Sequence, residues 1–427
     1  MEAVAKRTRR LSRTQTRFRS QSIRGAKQIC LAMTREQYLA IWHDAKAVHA
    51  LIDAQLEASP ELFPESMEGY CLKGMLPSSR KLPGIRLRQL RLANGEVYSL
   101  RPSFVLSYMI DANESLEAGL ELMRHGVPAR LVAKFCGRNA NFWDRLVAGL
   151  GRNSLAGTTV RNQERLPQHL TADEHQAKWN GEKGLLAMTA GDGCILGLEL
   201  ASSANDAELT NAYQAFADET REIDPDYTPA TVNTDGWPST QNAWKAIFPR
   251  TELIRCFLHG FLKIRERCHK AHVWHERVWN VYRAQTAREF RAKMAAFRSW
   301  VERDRTIPAA VRDAMKKLWQ RTDEYAKSYL HPGCRRTSNM VDRLMNGLYR
   351  KLYAQRGLHG HQASSGDRLR GWALLYNFCP FAPRAGRIRA HSSPAHRLNG
   401  KQYSENWLQN LLLSASLGGR PSGHRKR

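Results

Sequence analysis

The alternation of apolar and polar positions is clearest between residues 169 and 261. HLTADEHQ reads as a strand, Asn180-Gly181 as a turn, EKGLLAMTA as a second strand, Gly191-Asp192-Gly193 as another turn, and CILGLELA as a third strand. Asn-Gly and Asp-Gly supply the positive φ angles of tight hairpins, so three consecutive antiparallel strands are predicted. DAELTNAYQAFADETREI then has helical spacing, TVNTD is a short buried strand, and PSTQNAWKAIF is a helix with Pro238 in its first turn. TELIRCFLHG is a final strand or the start of a helix. Three strands, helix, strand, helix, strand is the order of a mixed sheet flanked by helices.

The remaining pattern is mostly helical. MTREQYLAIWHDAKAVHALIDAQLEA reads as one helix with Thr34 or an adjacent polar residue at its start. GIRLRQLRLANGEVYSL is a hairpin about Asn94-Gly95, whose Arg86, Arg88 and Arg91 are either solvated strand residues or phosphate contacts. From Glu114 to Leu150 three short helices follow one another, an arrangement shared by DNA readers and purely structural domains. The third begins near Asn139. There Arg138, Asn139, Asn141 and Arg145 are the candidate DNA contacts, and Phe142, Leu146 and Leu150 face inward. GRNSLAGTTVRNQERLP, with Arg152, has the turn formers and charge of a linker passing close to a duplex. TSNMVDRLMNGLY reads as a further helix and YSENWLQNLLLSASL as one in the tail.

These patterns divide the chain into a basic arm (1–33), a helix-plus-hairpin module (34–108), a tri-helical module (109–160), the first part of a mixed-sheet core (161–261), a helical insertion (262–330), a completion of the core (331–385) and a basic C-terminal tail (386–427). The predicted class is multidomain α/β: N-terminal helical DNA-binding modules, then a ribonuclease-H-like mixed-sheet core interrupted by a helical insertion.

Charge narrows the function. Lys and Arg total 66 against 40 Asp and Glu, a formal net charge of +26. A field of that sign concentrates polyanions at the surface. No apolar run is long enough to span a membrane and no signal-peptide core is visible, which leaves nucleic acid as the expected polyanion. The eight cysteines lack a disulfide rhythm, as in a reducing interior.

Against that background three acids stand out: Asp173 in the first strand, Asp235 at the end of the fourth, and Asp342 in the helix after the insertion. Hard oxygen donors of this kind hold pairs of divalent cations about 4 Å apart beside a scissile phosphate. Each acid also has a plain reading: a strand-end pair for Asp173 with Glu174, a turn for Asp235-Gly236, and a capping box for Asn339 with Asp342. Glu174, Asp192 and Asp367 are the substitutes for Asp342, with Glu199 and Glu208 behind them. Arg343 and Arg350 stand where they would reach DNA. Cys256-x-x-His259, followed by Cys268, His269, His272 and His275, offers zinc donors without the Cys-x2-Cys and distant His pair of a zinc module, so structural zinc is not expected. His259 instead is placed to approach the phosphate or a helper carboxylate.

LTADEHQAKWNGEKG, TVNTDGWPSTQNAWKAIFPRTELIRCFLHGFLKIRERC and TSNMVDRLMN together resemble a bacterial DDE-type insertion-sequence transposase, a likeness that covers most of residues 100–385. The resemblance implies a ribonuclease-H-like core cutting and joining DNA with Mg²⁺, for which Mn²⁺ substitutes, and Asp173, Asp235 and Asp342 as the three acids. It implies double-stranded DNA partners, namely terminal inverted repeats and a target, a homodimer or larger assembly, and a cytoplasmic, nucleoid-associated, non-membrane location in a bacterium. The class commonly has glutamate as its third acid, with asparagine three positions before. Here Asn339 is kept and the acid is the shorter Asp342. Two alternatives remain: a structure-selective nuclease on the same fold, and a catalytically silent DNA-binding regulator derived from a transposase.

Overall fold

The computed structural model describes residues 26–78, 83–106, 114–268, 272–382 and 391–420. The chain is a multidomain α/β protein whose strands, among the described residues, form two mixed sheets. Most of the basic arm, residues 1–25, and the end of the tail, residues 421–427, lie outside the described residues.

The N-terminal region is more than an arm, a helix and a hairpin. β1 (Gln28–Leu31) pairs in parallel with β4 (Val97–Pro102), and β4 forms the expected hairpin with β3 (Arg88–Arg91), which pairs with β2 (Cys71–Met75). The expected single helix is two, α1 (Arg35–Ile41) and α2 (Ala45–Ala58). Thr34 and Gln37 form a reciprocal capping box on α1, and Asp44 starts α2 by accepting from the Lys46 and Ala47 amides, breaking the helix where the apolar pattern runs on. The Arg86 and Arg88 guanidinium groups turn to backbone, donating to the carbonyls of Leu76 and His43, and Arg88 is buried.

The three short helices are present as α3 (Glu114–Arg124), α4 (Ala129–Cys136) and α5 (Ala140–Leu150). The segment read as a linker is instead packed inside, as α6 (Leu155–Thr159), every residue of which is buried. Its small residues serve close approach: a Cβ on Gly157 would lie 2.0 Å from the Gly419 carbonyl oxygen. Arg161, which looked like linker charge, is buried and donates to the Gly157 carbonyl.

The second sheet contains β5 (His169–Trp179), β6 (Glu182–Gly191), β7 (Cys194–Ala201), β8 (Thr231–Thr234) and β9 (Glu252–Arg255) in the order β7-β6-β5-β8-β9. The first three strands are antiparallel, while β8 joins β5 and β9 joins β8 in parallel. The turn residues Asn180, Gly181, Asp192 and Gly193 all have positive φ, as their types allow. One face of the sheet is covered by α7 (Asp206–Ile223) and α8 (Pro238–Ile247), which bury Phe216, Trp244 and Phe248 against it.

After β9 the chain enters a helical region with its own apolar core: α9 (Phe257–Arg267), α10 (His272–Tyr282), α11 (Ala287–Arg303), α12 (Ala309–Trp319) and α13 (Thr322–Ala326). Arg336 closes this excursion. It donates to the Tyr282 and Ala284 carbonyls and stacks on Tyr282, its guanidinium carbon 4.5 Å from the ring centroid.

The other face of the second sheet carries α14 (Asn339–Ala354) and α15 (Gln362–Phe378). α15 also touches α5 backbone to backbone, since a Cβ on Gly371 would fall 1.9 Å from the Val147 carbonyl oxygen. The tail is not peripheral: α16 (Pro394–Asn399) is followed by α17 (Trp407–Ser414), whose Leu408, Leu411 and Leu413 are fully buried. One continuous core therefore joins the N-terminal sheet, α3 to α5, α14, α15 and α17. Among the described residues no helix is long and apolar enough to cross a membrane.

Candidate active site

Register brings the first two acids together. In the parallel pair β5–β8, His169 lies opposite Thr231, Leu170 opposite Val232 and Thr171 opposite Asn233. Continued two residues, to just past the end of β8, that register would bring Asp173 level with Asp235, whose charge is among those that raise the Asp173 carboxyl. Alternation also sorts the faces. Ala172 and Leu170 join the core under α7 and α8, and Glu174 accepts from Tyr213 Oη at 2.5 Å and Thr240 Oγ1 at 2.7 Å on that side. Asp173 consequently points to the α14 face.

Asp235 immediately follows β8 and accepts from the Trp237 amide at 2.7 Å, which fixes one carboxylate oxygen. The next residue must be small and left-handed: Gly236 has φ +88°, and a Cβ there would fall 2.3 Å from Arg255 Nη1. Arg255 lies opposite Thr234 on β9, donates to the Gly236 carbonyl at 3.3 Å and is anchored by Glu324.

Asp342 lies in the first turn of α14, and the segment leading into that helix is stitched to the ends of the parallel strands. Asn233 Nδ2 donates to the Arg335 carbonyl at 2.9 Å, and the Phe257 amide donates to the Arg336 carbonyl at 3.2 Å. Ser338, fully buried, is the N-cap residue. Its amide donates to Cys256 Sγ at 3.1 Å, and its hydroxyl donates to Asp342 Oδ2 at 3.0 Å while facing Cys256 Sγ at 3.2 Å and His259 Nδ1 at 3.5 Å. The alternative reading of Asn339 and Asp342 as a capping box is not realised: the N-cap is Ser338, and the Asp342 carboxylate accepts from its hydroxyl. Ser338 was missed in the sequence, where nothing but its place ahead of Asn339 marks it.

Electrostatics ties these groups into one site. Burial pushes the Asp173 carboxyl up to about 8, helped by the nearby Glu174, Asp342 and Asp235 charges and opposed by His259. Glu174 is raised to about 7, chiefly by burial, with the Tyr213 and Thr240 hydroxyls pulling the other way. His259 is raised to about 9, first by its hydrogen bond to Cys256, against burial, and then by the Cys256, Asp342 and Asp173 charges. Cys256 is lowered because the His259 and Ser338 hydrogen bonds outweigh its burial. Asp173, Asp235, Asp342 and His259 therefore lie within electrostatic reach of one another.

The donor chemistry suits a hard divalent cation, since Asp173, Asp235 and Asp342 offer only carboxylate oxygens. In the side-chain arrangement present, no group of three or more His, Cys, Asp or Glu among the described residues stands as a metal cage. That includes Cys256 with His259, Cys268 and His275. His269 lies outside the described residues, and the His272 side chain is likewise undescribed.

The substitute acids are committed elsewhere. Glu199 pairs with buried Arg370 at 2.8 Å, Asp367 with Arg152 at 3.5 Å, and Glu208 accepts from Ser202 Oγ at 2.6 Å. Asp192 occupies the β6–β7 turn, where Arg397 donates to its carbonyl.

The proposed DNA contacts divide. Asn139 is the N-cap of α5, its Oδ1 accepting from the Phe142 amide at 2.8 Å. Arg138 leans on the Phe142 ring, Arg145 Nε donates to the Asn141 carbonyl at 3.1 Å, and Arg152 is paired with Asp367. Asn141, Arg145 and Gly149 form an exposed stripe on a helix whose other residues are buried or, at Ala140 and Asp144, half-buried. Arg343 is exposed on α14, one residue beyond Asp342.

No protein-family model matches the chain, and no curated protein matches it.

Proposed function

We propose that the chain is a DNA transposase with a ribonuclease-H-like core, a DDD variant of the DDE class, that cleaves the ends of a mobile element and joins the freed 3′-hydroxyl to target DNA. The observation that carries this reading is that Asp173 feels the charges of both Asp235, just past the end of β8, and Asp342, whose carboxylate accepts from the Ser338 hydroxyl. The sheet order supports it: three antiparallel strands followed by two parallel ones, with helices on both faces and a helical excursion before the third acid.

Divalent cations, Mg²⁺ or Mn²⁺, held by Asp173, Asp235 and Asp342 would supply an activated attacking oxygen and charge stabilisation at the phosphate. The protein's own groups do the positioning. The Trp237 amide and Ser338 hydroxyl orient two of the carboxylates, and His259 adds a positive charge beside the phosphate path. The +26 charge favours backbone binding, while the Asn141 and Arg145 stripe is the part of α5 available for contact. Bringing two element ends together calls for a homodimer or larger assembly.

The test is strand transfer with labelled element ends in Mg²⁺ or Mn²⁺, comparing wild type with Asp235→Asn. The reading requires joined product from wild type alone; equal product from both proteins removes Asp235 from the mechanism. Cleavage without joining would instead identify a structure-selective nuclease. One observation favours a silent DNA-binding regulator: among the described residues the acids do not stand as a ready cage. That reading requires site-specific DNA protection with no metal-dependent cleavage.

A further inference from the structure

Beside the acidic site runs an aromatic stripe that the cleavage chemistry leaves unused. On β5, His175 follows Asp173 by two residues and shares its face. On α14, Tyr349 and Tyr353 follow Asp342 by two and three turns, on the same side of the helix. The His175 and Tyr349 rings meet edge to face at 5.0 Å, and Tyr349 and Tyr353 stand 6.3 Å apart with planes inclined by 35°. Tyrosines in this setting ordinarily pack inward, yet Tyr349 is 46% and Tyr353 77% exposed. Three exposed cations accompany them: Arg343 and Arg350 on the adjoining line of α14, and Arg356 just beyond it.

We infer that His175, Tyr349 and Tyr353 form a stacking platform for unpaired bases of a DNA strand leaving the acidic site, with Arg343 and Arg350 holding its phosphates. Exposed π-faces beside cations are what single strands need, because every base can stack whatever its sequence. Seven helical residues put Tyr349 about 10 Å along α14 from Asp342. At a duplex rise of about 3.4 Å per nucleotide, that is within about three nucleotides of the bond to be cut. The platform rests on the transposase reading for its strand but not for its test, which needs neither metal nor catalysis.

The experiment uses the full chain in EDTA and a single-stranded DNA oligonucleotide containing one 2-aminopurine, with the matching duplex in parallel. The expected result is quenching of the single strand on binding. Tyr349→Leu and Tyr353→Leu should each weaken that binding by about tenfold while leaving duplex affinity unchanged. Tyr349→Trp should restore it, and Phe135→Leu, an exposed ring elsewhere, should have no effect. Wild type that binds duplex without quenching the single strand, or leucine variants that bind it as tightly as wild type, would overturn the platform. Loss of quenching with metal-dependent cleavage intact would count against the platform alone; quenching without cleavage would leave it standing and count against the catalytic reading.

Discussion

Replacing Asp173 by asparagine should make the metal-free protein more stable. Its carboxyl is raised from 3.8 to about 8, first by burial and then by three neighbouring carboxylates. The sign follows from proton binding: between those two values the folded chain keeps a proton that the unfolded chain has released. Stability therefore falls as pH rises through this window and levels off above about 8. At pH 7 the gap from the ordinary value is about three units, and each unit is worth about 1.4 kcal/mol, a ceiling of about 4 kcal/mol. Partial exposure and sharing among the acids reduce this to about 1–2 kcal/mol. The Asp173→Asn variant would carry none of this penalty, so thermal unfolding in EDTA should show it about 1–2 °C above wild type near pH 8, the difference closing toward about pH 4. Mg²⁺ or Mn²⁺ should raise the wild-type midpoint more at high pH, as the ion displaces the proton, and move the variant much less. A variant less stable than wild type at pH 8, or a difference independent of pH, would refute the picture of repelling carboxylates.

Three other perturbations follow from the site and its supports. Gly236→Ala combines a left-handed backbone with a Cβ driven into Arg255, and should cost about 1–3 kcal/mol in denaturant unfolding and remove strand transfer. Arg370→Ala removes the buried partner of the half-buried Glu199 and Glu219 carboxylates, and should cost about 2–4 kcal/mol by the same measurement. His259, raised to about 9 chiefly by Cys256, keeps its charge through neutral pH. The stability it contributes is full below about 6.5 and lost as pH rises through about 9. Activity should fall over that alkaline range, and Cys256→Ala should move the fall to lower pH in a pH–rate profile; an unmoved profile would deny Cys256 its hold on the ring.

What could be read from the chain was local. Asn180-Gly181 and Gly191-Asp192-Gly193 turn the strands where their φ preferences say they should, and the expected strands and helices of the second sheet are all present. Failures came where tertiary packing reverses the usual meaning of composition. Ser, Gly and Thr at 154–159 look like a loop, but they are small because α6 is pressed against Gly419. Arg88 and Arg161 look like solvent or phosphate contacts, yet both are buried against backbone carbonyls. Asn139, read as a base contact, also caps its helix, a role that its place ahead of the apolar run leaves open. For the candidate site, the acids Asp173, Asp235 and Asp342 were visible as residues, and so was His259. The register that would bring the first two level, and the Ser338 hydroxyl that links Cys256, His259 and Asp342, depend on contacts between segments far apart in sequence.

In the proposed mechanism Asp173, Asp235 and Asp342 share divalent cations. Crystals grown with Mn²⁺ and measured for anomalous scattering should show the ion within about 2.0–2.6 Å of carboxylate oxygens from both Asp173 and Asp235, with Asp342 completing the site. Manganese bound elsewhere, or an Asp173 and Asp235 that share no ion, would contradict it.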